Sequence, residues 1–564
     1  MDKLKTHSLN RLIELIKVNK KEVGQIYWLA IFSGLISLSL PFGIQLIINF
    51  IQGGTYSTSY FVLVFLITLG VILYSIFQII ELRILEKIQQ RIFVYAGLEF
   101  AYRFPRIKIE ELLNINARDL ANRFFDSIVL EKSVIKLLTD FSISMVQIII
   151  SALVLVFYHE MFLVLDLLVL IIVYFGFKFT FERALEAGKS YSKEKYKTAY
   201  WIEEVAGASS TFKLAGKTEL PMKRTDNYLE LYLEKREQYY RWLNVQYIIL
   251  NITKIVFVLG FLLIGGIMVM DQRMNVGQFV AAEVLVLTII NGVDKITNTL
   301  KSVYDTLIAL EKIAEVTDLK LENGESSRLY FDASHEGINI EISNLNFKYP
   351  QSNKLALQNI NLNIKEKEKV LITGQNNSGK TTLIKVISSL YEIKEGDIRY
   401  NNISIKNIDK ERLRYDIGIY FQEDVIFNGT ILENITLGRS EINMDYLNEM
   451  VDKIGLSKEF KDLPNGINSE IYAHGFGLPL SVVHKILFLR VIVTRPKLLL
   501  LENMHLNFLK EERENFIQII TDKDASWTLI CIDKVDELAK NYDTIYIMEQ
   551  GKIIRKTNYT EYKS

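Results

Sequence analysis

The sequence contains very little cysteine, proline or histidine. Its 564 residues include a single cysteine, Cys531, together with seven prolines and six histidines. One cysteine cannot form an intramolecular disulfide, and it provides neither a CxxC pair nor a Cys/His set from which a zinc site could be built. Disulfide-rich scaffolds and zinc-centred domains are therefore excluded.

An excess of charge of either sign is also lacking. Sixty-six Lys and Arg residues balance 66 Asp and Glu residues, so the formal net charge at pH 7 is zero. Nucleic acid is therefore not an expected partner, and any anion must be bound locally. Hydrophobic residues make up 49% and the mean hydropathy is +0.15. These values favour a membrane protein with a substantial soluble part, divided into more than one domain.

Six long apolar runs occupy the N-terminal half. They lie at residues 26–48, 60–80, 141–158, 161–177, 248–270 and 276–293. Several of them are just long enough to cross about 30 Å of hydrocarbon as helices. The runs predict a six-helix transmembrane domain over residues 23–316. Residues 1–22 are basic and amphipathic, which predicts an interfacial elbow helix rather than a secretory signal.

The connections between the runs indicate their orientation. Residues 81–140 and 178–241 are long and rich in Lys and Arg, whereas the short connections contain one Arg among them. Because Lys and Arg accumulate on the cytoplasmic side, both termini are expected to be cytoplasmic. The long segments have a helical pattern, so spans two to five should extend well beyond the bilayer. Turns near 114–126 and 205–217 could dock a cytoplasmic domain.

Ionisable side chains occur within or beside the apolar runs. On an ideal helix Glu283 and Asp294 lie about 20° apart, so both could face one cavity. Together with Asp166, they are functional candidates, because a carboxylate inside a membrane is costly to retain. An equally weighted interpretation is that they face a wet vestibule and have no role. Lys254 is expected in a cytoplasmic extension.

The C-terminal half contains a phosphate-binding pattern. Residues 374–382 read GQNNSGKTT, which fits G-x-x-x-x-G-K-[ST] between a strand-like and a helix-like run. Glycines let backbone N–H groups converge on phosphate oxygens, and the helix N-terminus adds the positive end of its dipole. Lys380 would neutralise β- and γ-phosphates and Thr381 would ligate Mg²⁺. The predicted nucleotide-binding residues of the loop are Gly374, Asn376, Asn377, Ser378, Gly379, Lys380, Thr381 and Thr382. A chance glycine-rich turn is the less favoured interpretation.

Residues 338–564 follow a polar linker at 317–337 and resemble the nucleotide-binding domain of ATP-binding cassette (ABC) exporters. The resemblance rests on the phosphate loop, on IGIYFQED at 417–424, on IFNGTILENI at 426–435 and on the apolar run before Glu502. With the preceding spans it covers nearly the whole chain. It implies a half-transporter that fuses a six-helix ABC exporter transmembrane domain to an α/β P-loop domain. The stretch 275–311 resembles the toxin and peptide secretion branch.

The resemblance also implies roles for residues outside the loop, with ATP and Mg²⁺ as cofactors. Tyr349 lies where the family stacks an aromatic ring on adenine, although a strand-end aromatic is the alternative. Gln422 would ligate Mg²⁺ and sense the membrane domain. Glu502 would hold the Mg²⁺ water shell. The implied metal residues are therefore Thr381, Gln422 and Glu502.

The signature motif departs from the family pattern. Counted from Arg490, Pro496 and Lys497, which keep the family spacing, LSGGQ falls on LPLSV at 478–482. In the family this segment donates to the γ-phosphate bound by the opposite subunit. Pro479 has no N–H to donate, and Val482 replaces the glutamine. This segment is expected to hold a γ-phosphate poorly.

The catalytic positions depart as well. The resemblance places Asn503 at the position of the general base, and an amide cannot take a proton from the attacking water. Lys534 occupies the switch position of the family histidine, and the D-loop at 506–509 lacks its aspartate. Losing a positioned base or a γ-phosphate donor typically lowers the rate of hydrolysis about 10²- to 10³-fold. The sequence therefore predicts ATP binding with very slow hydrolysis.

Two functions remain open at this point. The first is an exporter subunit that binds ATP, works as a homodimer or as a heterodimer with another ABC subunit, and moves substrate outward across a bacterial inner membrane. A periplasmic adaptor protein is a family-level expectation for it. The second is a non-transporting ATP-binding regulator or assembly component. A pump that uses other catalytic residues is a third, weaker interpretation.

Overall fold

The structure, a computed structural model, describes residues 2–37, 39–52, 58–113, 115–322, 336–504, 508, 510–533 and 536–563. The chain divides into two compact units. The first extends to Ile107 and includes Glu111–Leu321, and the second comprises Lys108–Glu110 and the chain from Glu322 onward. Most of the predicted linker at 317–337 lies outside the described residues, and the predicted domain boundaries stay predictions.

The first unit consists of helices. They are α1 (Asp2–Val18), α2 (Lys20–Ser37), α3 (Ser39–Gln52), α4 (Thr58–Arg103), α5 (Ile109–Leu112), α6 (Ala117–Ala121), α7 (Asp126–Lys136), α8 (Ser142–Tyr158), α9 (Met161–Gly207), α10 (Ser209–Leu214), α11 (Leu220–Met270) and α12 (Val276–Thr317). A π-helical turn, Leu137–Phe141, joins α7 to α8. The chain of α5 belongs partly to the second unit. The prediction that spans two to five continue as long helices is confirmed for spans two, four and five by α4, α9 and α11, which have 46, 47 and 51 residues. The third span, α8, has 17 residues and is continued only through the π-helical turn.

Five helices among the described residues are long and apolar enough to cross a membrane. They are Thr58–Arg106, Ala117–Tyr158, Met161–Gly207, Leu220–Met270 and Val276–Thr317. The predicted first span, residues 26–48, is not among these five helices, and one of its residues, Leu38, lies outside the described part of the chain. The sixth span is therefore not confirmed.

The two carboxylates predicted to share a cavity have different surroundings. Asp294 is half-buried and its Oδ1 accepts a hydrogen bond of 2.7 Å from Lys254 Nζ, across from α11 to α12. Glu283 is exposed. Asp294 is thus neutralised by an ion pair, and a shared role with Glu283 stays a prediction.

The second unit is built on two sheets and a short β-ribbon. Its strands are β1 (Ile340–Phe347), β2 (Leu357–Ile364), β3 (Lys369–Gly374), β4 (Glu395–Tyr400), β5 (Ile403–Ser404), β6 (Ile417–Tyr420), β7 (Gly429–Thr430), β8 (Glu470–Ile471), β9 (Leu498–Glu502), β10 (Thr528–Ile532), β11 (Thr544–Glu549) and β12 (Lys552–Thr557). Its further helices are α13 (Lys380–Ile387), α14 (Lys410–Tyr415), α15 (Ile431–Thr436), α16 (Met444–Ile454), α17 (Ser457–Lys461), α18 (Leu480–Ile492), α19 (Lys510–Ile520) and α20 (Tyr559–Lys563).

The larger sheet has the order β12-β11-β3-β10-β9-β6, and the described pairings are parallel except for the edge strand β12. The smaller sheet, β2-β1-β4-β5, is antiparallel. In the larger sheet Ile532 pairs with Glu502 on one side and with Ile372 on the other. The carboxyl end of β9 therefore lies level with the end of β3, where the phosphate loop begins. Open α/β sheets bind ligands at this edge.

The strand β9 separates two hydrophobic cores. Leu499 and Leu501 belong to one core and Leu498 and Leu500 to the other, and all four are fully buried. A strand buried on both faces reads as a continuous apolar run, because alternate side chains enter different cores. The run LLLL before Glu502 thus positions the acidic residue at the end of a rigid central strand.

Leu500→Ala should destabilise the second unit by about 2–5 kcal/mol, because it removes a fully buried side chain and leaves a cavity. Thermal unfolding of the full chain in detergent would show a lowered midpoint for this unit. Ile554→Ala is the matched control, since Ile554 is 56% exposed. An unchanged midpoint for Leu500→Ala would contradict the two-core arrangement.

Candidate nucleotide-binding site

The loop between β3 and α13 requires its two outer glycines. Gly374 has φ = 141°, and a Cβ there would lie 2.0 Å from the Met548 carbonyl oxygen. Gly379 has φ = 97°, and a Cβ there would lie 2.7 Å from the Ala356 carbonyl oxygen. Neither position can hold a side chain without moving the backbone. The loop is thus shaped by steric contact with its neighbours as well as by its own sequence.

Lys380, the first residue of α13, turns its ammonium group back into the loop. Its Nζ donates to the carbonyl oxygens of Gly374 at 2.8 Å and Gln375 at 2.7 Å, and to Ser378 Oγ at 3.2 Å. The side chain is 8% exposed. A fixed cation at the start of a helix, where backbone N–H groups lack intrahelical partners, suits a phosphate group.

A cavity of about 1260 Å³ lies beside this loop. It is lined by predicted residues of the loop, Asn376 to Thr382, and by Gln422 and Asn503. Further lining residues were not predicted: Asn353, Lys354, Leu355, Ala356, Gln358, Ile532, Gln550 and Gly551. Two hydrogen bonds explain part of this set, since Gly551 N–H donates to Ser378 O at 3.0 Å and Gln358 N–H donates to Gly551 O at 2.7 Å. The turn between β11 and β12 therefore closes one side of the cavity.

Thr381 and Glu502 form the part of the site that fits Mg²⁺. The Thr381 hydroxyl donates to Oε1 of Glu502, whose side chain is 8% exposed at the end of β9. A hydroxyl and a carboxylate in contact are the oxygen donors that Mg²⁺ prefers. The described residues contain no group of three His, Cys, Asp or Glu side chains able to hold a metal. Nucleotide and water oxygens would therefore complete the coordination of the ion.

Gln422 lies in a turn after β6 that is held by hydrogen bonds. Asp424 Oδ2 accepts from Phe421 N–H at 3.0 Å, and Asp424 N–H donates to Phe421 O at 3.1 Å. Burial raises the pKa of Asp424 and lowers the pKa of Arg490. Arg490 donates to the carbonyl oxygens of Asn434 at 2.7 Å and Val425 at 3.2 Å. These bonds fix the chain on both sides of the exposed Gln422.

Tyr349 has another set of contacts. Its hydroxyl lies 3.0 Å from Thr382 Oγ1, and its ring packs edge-on against Tyr391 with centroids 5.3 Å apart. Tyr349 is not among the residues that line the cavity. Its proposed stacking on adenine stays a prediction.

Asn503 lies at the cavity, directly after Glu502. Its φ is 45°, a left-handed conformation that Asn adopts more readily than longer side chains. Its N–H donates to Ile532 O at 2.9 Å. Lys534 lies outside the described residues, as do Leu506, Asn507 and Leu509 of the D-loop. The geometry of the switch position is therefore not described.

The segment predicted to correspond to the family signature, residues 478–482, includes the start of α18. Pro479 is the N-cap residue and makes no side-chain capping hydrogen bond. Val482 is 6% exposed, whereas Leu480 is 68% exposed. The position predicted to correspond to the family glutamine is thus part of the hydrophobic core, and an aliphatic side chain occupies the surface next to it.

The parallel sheet, the phosphate loop at its carboxyl edge and the paired Thr381 and Glu502 define an ABC-type nucleotide-binding cassette. A family profile described as ABC transporter matches residues 357–504. The chain therefore contains an ABC transporter domain, on the same polypeptide as five helices of membrane-spanning length.

Several curated proteins are similar to this chain. Transport/processing ATP-binding protein ComA of Streptococcus pneumoniae is 25% identical over 64% of this chain and 50% of its own length. Lactococcin transport/processing ATP-binding protein LcnC-like of Lactococcus lactis is 24% identical over 99% of this chain and 78% of its own length. Alpha-hemolysin translocation ATP-binding protein HlyB of Escherichia coli O157:H7 is 27% identical over 53% of this chain and 42% of its own length. The match thus spans about half the length of ComA.

A solved structure has the same fold. It is described as a bacterial Atm1-family ABC exporter with ATP bound, and the match has a TM-score of 0.85. The two chains are 16% identical, and the match covers 97% of this chain and 96% of the other. The predicted fold class and the resemblance to ABC exporters with fused membrane and nucleotide-binding domains are confirmed.

Lys380→Ala should weaken ATP binding by tenfold or more, because it removes the cation at the centre of the phosphate loop. Equilibrium binding of a fluorescent ATP analogue to the full chain would measure the effect. Lys365→Ala is the control, since Lys365 lies on an exposed turn before β3. Equal binding by both variants would mean that the cavity is not the ATP site.

Thr381→Val should remove the effect of Mg²⁺ on ATP affinity, because valine keeps the shape of threonine but has no oxygen ligand. The measurement compares ATP binding in Mg²⁺ with binding in EDTA. Thr211→Val, at an exposed position of α10, should behave as the native chain does. If the native chain binds ATP equally with and without Mg²⁺, the Thr381 and Glu502 pair is not a metal site.

Proposed function

We propose that this chain is the subunit of an ABC-type exporter, which binds MgATP in its cassette and couples ATP binding to outward transport across a membrane. The observation that carries the proposal is a complete phosphate loop, with Lys380 at its centre and Thr381 against Glu502, on one chain with five membrane-length helices. The similarity to ComA, LcnC-like and HlyB proteins supports a peptide or toxin as the substrate.

The proposal includes poor hydrolysis at the chain's own site. Asn503 supplies an amide where a general base is needed, and amides do not accept protons at neutral pH. Residue 503 has a left-handed φ of 45°, a backbone conformation that asparagine tolerates better than most residues. ATP would therefore act mainly as a bound ligand that brings two cassettes together, and turnover would depend on another subunit.

A dimer is part of the proposal. The lining of the cavity includes the phosphate loop, Gln422, Asn503 and the β11–β12 turn, but no residue of the signature segment at 478–482 of the same chain. In the family, a second cassette supplies that segment. Because Pro479 and Val482 cannot serve a γ-phosphate well, we favour a heterodimer with a better-equipped ABC subunit over a homodimer. A periplasmic adaptor protein, a bacterial inner-membrane location and cytoplasmic termini are included as family-level expectations.

Purified, lipid-reconstituted chain should hydrolyse ATP no faster than Lys380→Ala while it still binds MgATP. The restored variant, Pro479→Ser/Leu480→Gly/Val482→Gln/Asn503→Glu/Lys534→His, should exceed the native rate by about 10² or more, because it regains a base and γ-phosphate donors. Phosphate release measures the rate, and a nucleotide-binding assay runs on the same samples.

Two outcomes would contradict this proposal. Native turnover well above that of Lys380→Ala would show that Asn503 does not limit hydrolysis. Failure of the native chain to bind MgATP would remove the cassette from the mechanism altogether.

A further inference from the structure

The first unit contains a second cavity that the cassette chemistry does not use. Its volume is about 550 Å³, and it is lined by residues of α2, α4, α7, α8, α12 and the π-helical turn before α8. The charged lining residues are Glu81, Glu86, Asp140 and Lys295. Three carboxylates against one ammonium group give the wall a net negative charge.

Glu81 is the central feature of this cavity. It is 7% exposed, and within the described part of the chain it forms no hydrogen bond and no ion pair. Burying a carboxylate without a partner is costly, so a carboxylate retained in such a place indicates a ligand that is absent from the chain itself. Glu86 differs, because it is exposed and accepts a hydrogen bond of 2.8 Å from Gln90.

Another part of the cavity wall has an unusual backbone. Thr139 and Asp140 line the cavity from the π-helical turn Leu137–Phe141. Such turns are rare, because one helical turn is widened at some cost in hydrogen-bond geometry. Where they do occur, they are often at functional sites. The turn directs a second carboxylate to the same cavity as Glu81.

The position of the cavity follows from the apolar runs. Glu81 directly follows the run 60–80, Asp140 directly precedes the run 141–158, and Lys295 follows the run 276–293 by two residues. All three therefore lie at the ends of predicted spans, on the side of the long Lys- and Arg-rich segments. A substrate that enters from this side would meet the cavity before the membrane interior.

From these observations we infer that this cavity, walled by Glu81 and Asp140, binds an ammonium or guanidinium group of the transported substrate. The inference rests on the proposed export function and names the chemical class of its substrate. A lining that combines carboxylates with Tyr74 and Leu85 suits an organic cation on an apolar stem, such as an arginine or lysine side chain. Lys295 has the same positive charge as such a ligand, so its repulsion limits the affinity of the cavity for it.

The test uses two tripeptides that differ only in charge, Ac-Leu-Arg-Leu-amide and Ac-Leu-citrulline-Leu-amide. Calorimetric titration of the full chain in a non-ionic detergent, without nucleotide, should show binding of the arginine peptide at least about tenfold tighter. Glu81→Gln and Asp140→Asn should each reduce that preference by about tenfold. Lys295→Met should instead tighten binding of the arginine peptide several-fold, because the competing cation is gone.

Glu230→Gln is the matched control, since it removes an exposed carboxylate from α11. Native MgATP binding by each variant reports that the protein is folded. If Glu81→Gln does not fold, Asp140→Asn and Lys295→Met decide the question through their opposite signs. Equal binding of both peptides, binding of neither, or variants that leave the preference unchanged would overturn the inference.

The two proposals can fail separately. If the native chain binds MgATP but does not prefer the arginine peptide, the cation site alone is rejected. The chain could instead bind the arginine peptide selectively while inside-out vesicles that also contain candidate partner subunits show no ATP-dependent uptake of it. That result would reject export and leave the cation site standing.

Discussion

The alignment of three parallel strand ends is the constraint on which the nucleotide site depends. Ile532 lies level with Glu502 on one side and Ile372 on the other, and this register is enforced by backbone hydrogen bonds and by two cores that clamp β9. A shift of one residue would exchange the side chains that enter each core. The contact between Thr381 and Glu502 is therefore a consequence of sheet register, and it is as rigid as the sheet.

Much of this site could be predicted, because the residues that form a phosphate-binding loop are neighbours in the sequence. The loop 374–382, its strand and its helix are contiguous, so spacing alone places Lys380 and Thr381. Other residues reach the cavity only through long-range pairing. Gln550 and Gly551 arrive there because β11 pairs with β3, about 170 residues away in sequence, and no local pattern encodes that contact.

The membrane unit shows a different limit of sequence reasoning. Hydropathy identifies the apolar segments, and the helical pattern of the long connections predicted the extended helices α4, α9 and α11. It does not reveal where a helix changes its winding, as at Leu137–Phe141. That detail depends on how the helix packs against its neighbours. The pairing of Asp294 with Lys254 is of the same kind, since two helices must meet to form it.

The 51 residues of α11 have a mechanical consequence. At 1.5 Å per residue the helix is roughly 76 Å long, more than twice the roughly 30 Å of hydrocarbon it is predicted to cross. A rod of this length pivoting by about 5° at one end carries its other end through roughly 6–7 Å, more than one helical pitch. A small change of tilt at one end of α11 thus displaces the other end by several ångströms, while every hydrogen-bonded turn of the helix stays intact.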